Sequence, residues 1–168
     1  SMNGRENDYL WAGPYFYSLQ SVAVLKSSDI NTISELKGRT VAVQSSTKPE
    51  SLFLDGADGV PDVKSVYCFT DMEKMFGAVK KGYIDACAGH ESALRSFISR
   101  DSADFRILYE PLQKVGLGIA FDKQSGDRKL VRKLSETLNE MHKDRTTAKV
   151  FIKYNISAEI FPEVSVID

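Results

Sequence analysis

"NTISELKGRTVAVQSSTKPE", Asn31–Glu50, contains the alternation that decides the fold. "NTISELKGR" reads as a short helix closed by Gly38, and Thr40–Gln44 as an apolar strand. Three hydroxyl residues, Ser45, Ser46 and Thr47, then end the strand, and a second helix opens near Pro49. Thr47 followed three positions later by Glu50 has the form of a capping box, and Pro49 suits a first helical turn. The same turn also reads as an anion site. Backbone N–H groups at a helix start, ringed by hydroxyls and beside Lys48, suit a carboxylate or a phosphate.

The pattern continues in both directions. Upstream, Gln20–Leu25 reads as a strand. Downstream, Gly56 and "DGVPD" break the chain before a strand at Ser65–Phe69. Thr70 with Glu73 caps a helix on which Met72, Met75, Phe76 and Val79 recur at helical spacing, and Gly82 ends it. A strand at Ile84–Ala88, a helix at Glu91–Ser99 and strands at Phe105–Tyr109 and Gly116–Phe121 follow. Two helices close the chain: Asp127–Lys143, with its face on Leu130, Leu134, Leu138 and Met141, then Thr146–Tyr154. Strands alternating with helices predict an α/β fold, a mostly parallel sheet with helices on both faces. In such sheets ligands collect at the carboxyl ends of the strands, where Ser45, Ser46 and Thr47 lie.

Composition narrows the function. The 168 residues are 42% hydrophobic, enough for one domain or one domain with an appendage. Twenty-two basic against 23 acidic residues leave a charge of −1, which offers no electrostatic footprint for nucleic acid or anionic membrane. No apolar run approaches a membrane span and no basic-then-apolar leader opens the chain, so a targeting signal is expected outside this sequence. Ser1 before Met2 resembles a protease scar. Cys68 and Cys87 sit inside predicted strands without CxxC or metal spacing, and are expected to be buried free thiols. No nucleophile elbow, glycine-rich phosphate loop or HExxH is present, so neither an enzyme nor a cofactor is expected.

Four motifs in order carry a resemblance: "RENDYLWAGPYF" (Arg5–Phe16), "INTISELKGRTVAVQSST" (Ile30–Thr47), "GYIDACAGHE" (Gly82–Glu91) and "GLGIAFDKQ" (Gly116–Gln124). Through them the stretch from Arg5 to Tyr154 resembles the type II periplasmic solute-binding proteins of the polar-amino-acid class, solute-binding protein family 3. These are clamshell receptors that feed ABC importers. The resemblance implies a periplasmic-binding-protein-like II lobe. Residues 1–20 would be a hinge-proximal lead-in, 21–121 lobe two, and 122–168 the C-terminal helices of lobe one, the earlier part of lobe one preceding Arg5. It implies an extracytoplasmic, periplasmic or lipid-anchored protein that closes two lobes over a small polar or anionic solute, such as an amino acid, and delivers it to a membrane permease. The same module also serves as the sensor of histidine kinases and diguanylate cyclases, and some relatives of the fold are dehydratases, for which His90 with Glu91 would form an acid and base pair.

The resemblance also assigns a site. Arg5 stands where an arginine fork grips the ligand carboxylate, and Thr47 where a hydroxyl completes the cradle. Ser46 stands where the family carries glycine, Lys48 where a small or hydroxyl residue is usual, and Pro49 removes a backbone donor. His90 occupies the place of an aspartate that pairs with the ligand ammonium, leaving Glu91 to supply that charge or the ligand to lack the amine. Trp11 and Tyr15 match an aromatic stretch near hinge and cleft, and Gln44 a side-chain contact. Asp85 reads as organising its own turn. Leu130, Leu134, Leu138, Met141, Val150, Phe151 and Tyr154 would pack on lobe-one strands. In their absence the helices are expected to fold back on their own lobe, or to cover this stripe against a second chain by dimerisation or element exchange.

Overall fold

The computed structural model describes residue 2 and residues 5–101, 104–124 and 126–153. The strands are β1 (Tyr9–Leu25), β2 (Thr40–Gln44), β3 (Ser65–Phe69), β4 (Ala86–His90), β5 (Phe105–Ile107) and β6 (Gln113–Asp122). The α-helices are α1 (Lys48–Leu54), α2 (Met72–Lys80), α3 (Glu91–Asp101), α4 (Arg128–Lys143) and α5 (Thr146–Lys153). Two compact units result: unit 1 is Ser1–Ser18 with Lys114–Asp168, and unit 2 is Leu19–Gln113.

Unit 2 is built around β2. It pairs in parallel with β3 on one side and with β4 on the other. β1 lies beyond β4 and runs antiparallel both to it and to β5. The centre of the sheet is therefore parallel and covered on both faces, which is why its strands are apolar at consecutive positions. Val41, Val43, Ala86, Ala88, Val22 and Val24 point to one face, where they meet Leu52 of α1 together with Ile30, Ile33 and Leu36. Ala42, Cys87 and Ala23 point to the other, against Met75, Phe76 and Val79 of α2 and Leu94 of α3. On that second face Phe76 stacks on Phe97 and meets Phe105 edge-on, with centroids 4.3 and 4.8 Å apart.

Several local expectations change. The first strand is 17 residues long, because Tyr9–Leu19 also extend; there β6 provides its partner. The helix before Gly38 shrinks to one 3₁₀ turn, Ser34–Leu36, which buries Leu36 alone. The second capped helix is held by Asp71, whose carboxylate accepts the Lys74 N–H, rather than by Thr70. Cys68 is exposed whereas Cys87 is buried, since β3 is an edge strand and β4 a central one.

In unit 1, Asp127 caps α4 by accepting the N–H groups of Lys129 and Leu130. Phe151 of α5 stacks on Phe16 of β1 at 5.3 Å. Val131 and Ser135 are the buried residues of α4, and Leu134, Leu138 and Met141 are half-buried, so the helix does turn part of its apolar stripe inward. Leu130, Val150 and Ile152 remain 52, 46 and 62% exposed. Tyr154, the last residue of that stripe, lies outside the described residues.

Candidate functional site

The strand ends of unit 2 bring several of the sequence-predicted residues to one edge. Val43 of β2 stands opposite Ala88 of β4, so Ser45 and His90, two residues further along each strand, leave the sheet side by side. Gln44 stands opposite Phe69 at the end of β3, and the Ser45 N–H donates to the Phe69 carbonyl. Gln44, Ser46, Thr47, Lys48 and His90 therefore share the carboxyl edge, the edge at which open α/β sheets bind ligands.

The turn at Ser45–Lys48 differs from a capping box. The Thr47 hydroxyl donates back to the Gln44 carbonyl and caps no helical N–H. Glu50 reaches past Thr47 and accepts the Ser46 N–H at 2.7 Å. Ser46 has φ of +62°, in the left-handed region that glycine occupies without cost. The Glu50 carboxyl is held below the usual carboxylate range, first by the Cys68 thiol and then by the Ser46 N–H. The same contact, with a smaller push from burial, raises the Cys68 thiol. Lys48 is exposed and its ammonium makes no ion pair among the described residues, while Pro49 at the second helical position is buried.

His90 is exposed, with Nδ1 2.8 Å from the Ser92 hydroxyl. Glu91 is not exposed beside it. The residue is 8% exposed, and its carboxylate accepts from the Ser21 hydroxyl at 2.8 Å and from Arg95 Nε at 2.7 Å. The pairing explains the burial, because a buried carboxylate persists only when its oxygens are satisfied. Gln44 donates through Nε2 to the Thr70 carbonyl at 3.3 Å. Asp85 lies at the opposite edge and braces it: Oδ2 accepts from the N–H and hydroxyl of Thr40 at 2.7 and 2.6 Å. Partial burial pushes the Asp85 carboxyl up, but the Thr40 hydrogen bonds, with Arg39 and Lys64 nearby, hold it below the usual range. Gln113 Oε1 is buried without a donor among the described residues.

Sequence reading missed Ser21, Arg95 and Ser92 as partners of these residues, and read Glu50 as the capping partner of Thr47 rather than of Ser46. The spacing of Glu91 and Arg95, one helical turn, was legible. The Ser21–Glu91 bond joins residues 70 apart and left no local signal.

Arg5, Trp11 and Tyr15 belong to unit 1. Arg5 is exposed and sits over the Tyr9 ring at 6.0 Å, while its carbonyl accepts from Trp11 Nε1 at 3.1 Å. Trp11 lines a cavity of about 590 Å³ with Met2, Leu10 and Val131, rimmed by Arg128 and Arg132. Tyr15 is half-buried in β1. No group of acidic, His or Cys side chains among the described residues is arranged to hold a metal ion, and no helix among them is long and apolar enough to cross a membrane.

Comparison with known proteins gives this geometry a context. The model of a family described as "ABC transporter, phosphonate, periplasmic substrate-binding protein" matches residues 11–161. A probable amino-acid-binding protein, YxeM, of Bacillus subtilis (strain 168) is 27% identical over 152 residues, which are 89% of this chain and 56% of YxeM. The chain thus spans little more than half the length of that relative. A second substrate-binding domain assigned to an amino-acid ABC transporter of Streptococcus pneumoniae superposes with a TM-score of 0.66 at 21% identity, over 92% of this chain and 68% of that one. An ancestral arginine-binding protein, solved with glutamine bound, is 30% identical with a TM-score of 0.55, over 90% of this chain and 65% of that one.

Proposed function

The chain belongs to the periplasmic substrate-binding proteins of ABC transporters, and from that premise we propose that it receives a small polar solute through an anionic group at the carboxyl edge of unit 2. The observation that carries this reading is the Ser45–Lys48 turn. Its exposed residues are Ser45, Ser46 and Lys48, and His90, also exposed, leaves the neighbouring strand beside it. Such convergent donors suit a carboxylate or phosphoryl oxygen. The names of its relatives, binding proteins for amino acids, support a solute of that size. In this reading the protein is not an enzyme. It works outside the cytoplasm, in the periplasm or tethered to the cell surface by a lipid, and passes its solute to a membrane permease.

Unit 2 would be lobe two of a clamshell, and unit 1 part of lobe one. Arg5 is the proposed carboxylate-binding arginine of unit 1, with Trp11 and Tyr15 as aromatic contacts. Exposed Leu130, Val150 and Ile152 support self-association of this chain as a further proposal, which light scattering over a dilution series checks. Titration calorimetry with a panel of small anions tests the main reading. Lys48→Ala and Thr47→Pro, the second deleting a backbone N–H, are expected to weaken the anion that binds the wild type by about tenfold or more. Unchanged affinity in both variants would place the solute elsewhere.

A further inference from the structure

The cavity of about 590 Å³ in unit 1 lies away from the carboxyl edge of unit 2 and has a divided lining. Its floor is Met2, Leu10, Trp11 and Val131, and Met2 and Val131 are only 7 and 9% exposed. The polar groups of the floor are already satisfied inside unit 1. Trp11 Nε1 donates to the Arg5 carbonyl at 3.1 Å, and the Ser135 hydroxyl donates to the Val131 carbonyl at 3.1 Å. The rim carries Arg128, Lys129 and Arg132 against one acid, Glu6. All three cations are exposed. Arg132 pairs with Glu136 at a long 3.7 Å, and Arg128 and Lys129 make no ion pair among the described residues. An occupant of this cavity therefore needs an apolar body and carboxylates beside it.

We propose that the occupant is this chain's own C-terminal segment, Glu159–Asp168, which seats apolar side chains on the floor and carboxylates on the rim. The contact lies outside the solute-binding reading and does not depend on it. The segment, "EIFPEVSVID", lies outside the described residues; it holds Glu159, Glu163 and Asp168, no cation, and Ile160, Phe161, Val164, Val166 and Ile167. Its three carboxylates match the three rim cations, a pairing that leaves neither set facing its like. Reach permits the contact. Fifteen residues follow Lys153, the end of α5. Extended they span about 50 Å, whereas α4 and α5 laid end to end measure about 36 Å. Tethering favours this segment over a separate partner, because a linked segment is present at an effective concentration on the order of millimolar. Docking there covers Trp11 and, since Trp11 holds the Arg5 carbonyl, steadies the segment that carries Arg5.

Trp11 is the only tryptophan in the chain, so its fluorescence reports on the cavity directly. In the full chain, Phe161→Ser combined with Val164→Ser is expected to shift Trp11 emission to longer wavelength and to ease its quenching by acrylamide, as water reaches the indole. Reversing the acids of the segment (Glu159→Lys, Glu163→Lys, Asp168→Lys) is expected to have the same effect. So is reversing the rim (Arg128→Glu, Lys129→Glu, Arg132→Glu), at exposed positions where acids suit the first turns of α4. Both reversals together are expected to restore the wild-type emission and quenching. Circular dichroism checks that each variant is folded. Emission and quenching unchanged in all of these variants overturn the proposal. Failure of the paired reversals to restore what each alone removes also overturns it. Protection of Trp11 in the wild type that is lost on dilution assigns the cavity to a second copy of the chain and overturns it as well.

Discussion

Ser46 shows how one residue records a demand of the backbone. Its φ of +62° costs an L-residue roughly 1–2 kcal/mol, and the Glu50 carboxylate helps to hold it there by accepting its N–H. Glycine would remove the strain, but it loses roughly 0.5–1 kcal/mol more in chain entropy on folding. Ser46→Gly is therefore expected to raise stability by about 0.5–1 kcal/mol, and a lower urea midpoint would refute the strain. Asp85 offers a test by pH. Its folded pKa is depressed, so its contribution is present above the ordinary carboxylate value of about 3.9 and is lost as pH falls through the lower folded value. Asp85→Ala is expected to cost about 1–2 kcal/mol at pH 7 through the Thr40 bonds. The gap between wild type and variant should close below about pH 4. A gap that stayed constant down to pH 3 would mean that the charge plays no part.

At the scale of elements, α4 separates two adjacent residues that composition treats alike. Val131 is 9% exposed and Leu130 is 52% exposed. Val131→Ala should cost about 1–2 kcal/mol through lost burial and the space left behind, whereas Leu130→Ala should stay within about 0.5 kcal/mol. Equal effects in urea unfolding would show that the face of α4 has been misassigned. The same comparison explains which part of the helix reading survived. The 3.6-residue period placed α4 and its apolar stripe, but the period says only that a stripe exists. The parts of it that are covered depend on what lies opposite, here residue 2 and the start of β1, which line one cavity with α4.

Across the molecule, burial is uneven. β2 and β4 in unit 2 carry wholly buried triplets, Val41–Val43 and Ala86–Ala88, whereas α5 has no buried residue and β6 is half-buried or exposed along its length. Amides of those triplets are expected to exchange with solvent at least about a hundredfold more slowly than those of β6 and α5. Comparable rates would show that the two units open together.

The order of elements and the edge that carries the candidate site were legible in the sequence, because both rest on local signals. Strand β2 follows from an apolar run between Gly38 and the hydroxyl turn. The coincidence of Thr47 and His90 follows from each lying just past a strand that could be read alone. Asp85 was placed by the same logic, as an acid at a strand start that needed a partner. Contacts between residues far apart in the chain were decided only by the tertiary structure. Whether Glu91 faces a ligand or the core depends on Ser21, which antiparallel pairing of β1 brings to Gly89. The exposure of Cys68 depends on β3 being last in the sheet, and the full length of β1 on β6 arriving to pair with it. Propensity and period act over a few residues, so they determine the elements. Partners of charged and hydrogen-bonding groups are chosen by strand order and register, which no single stretch of this sequence contains.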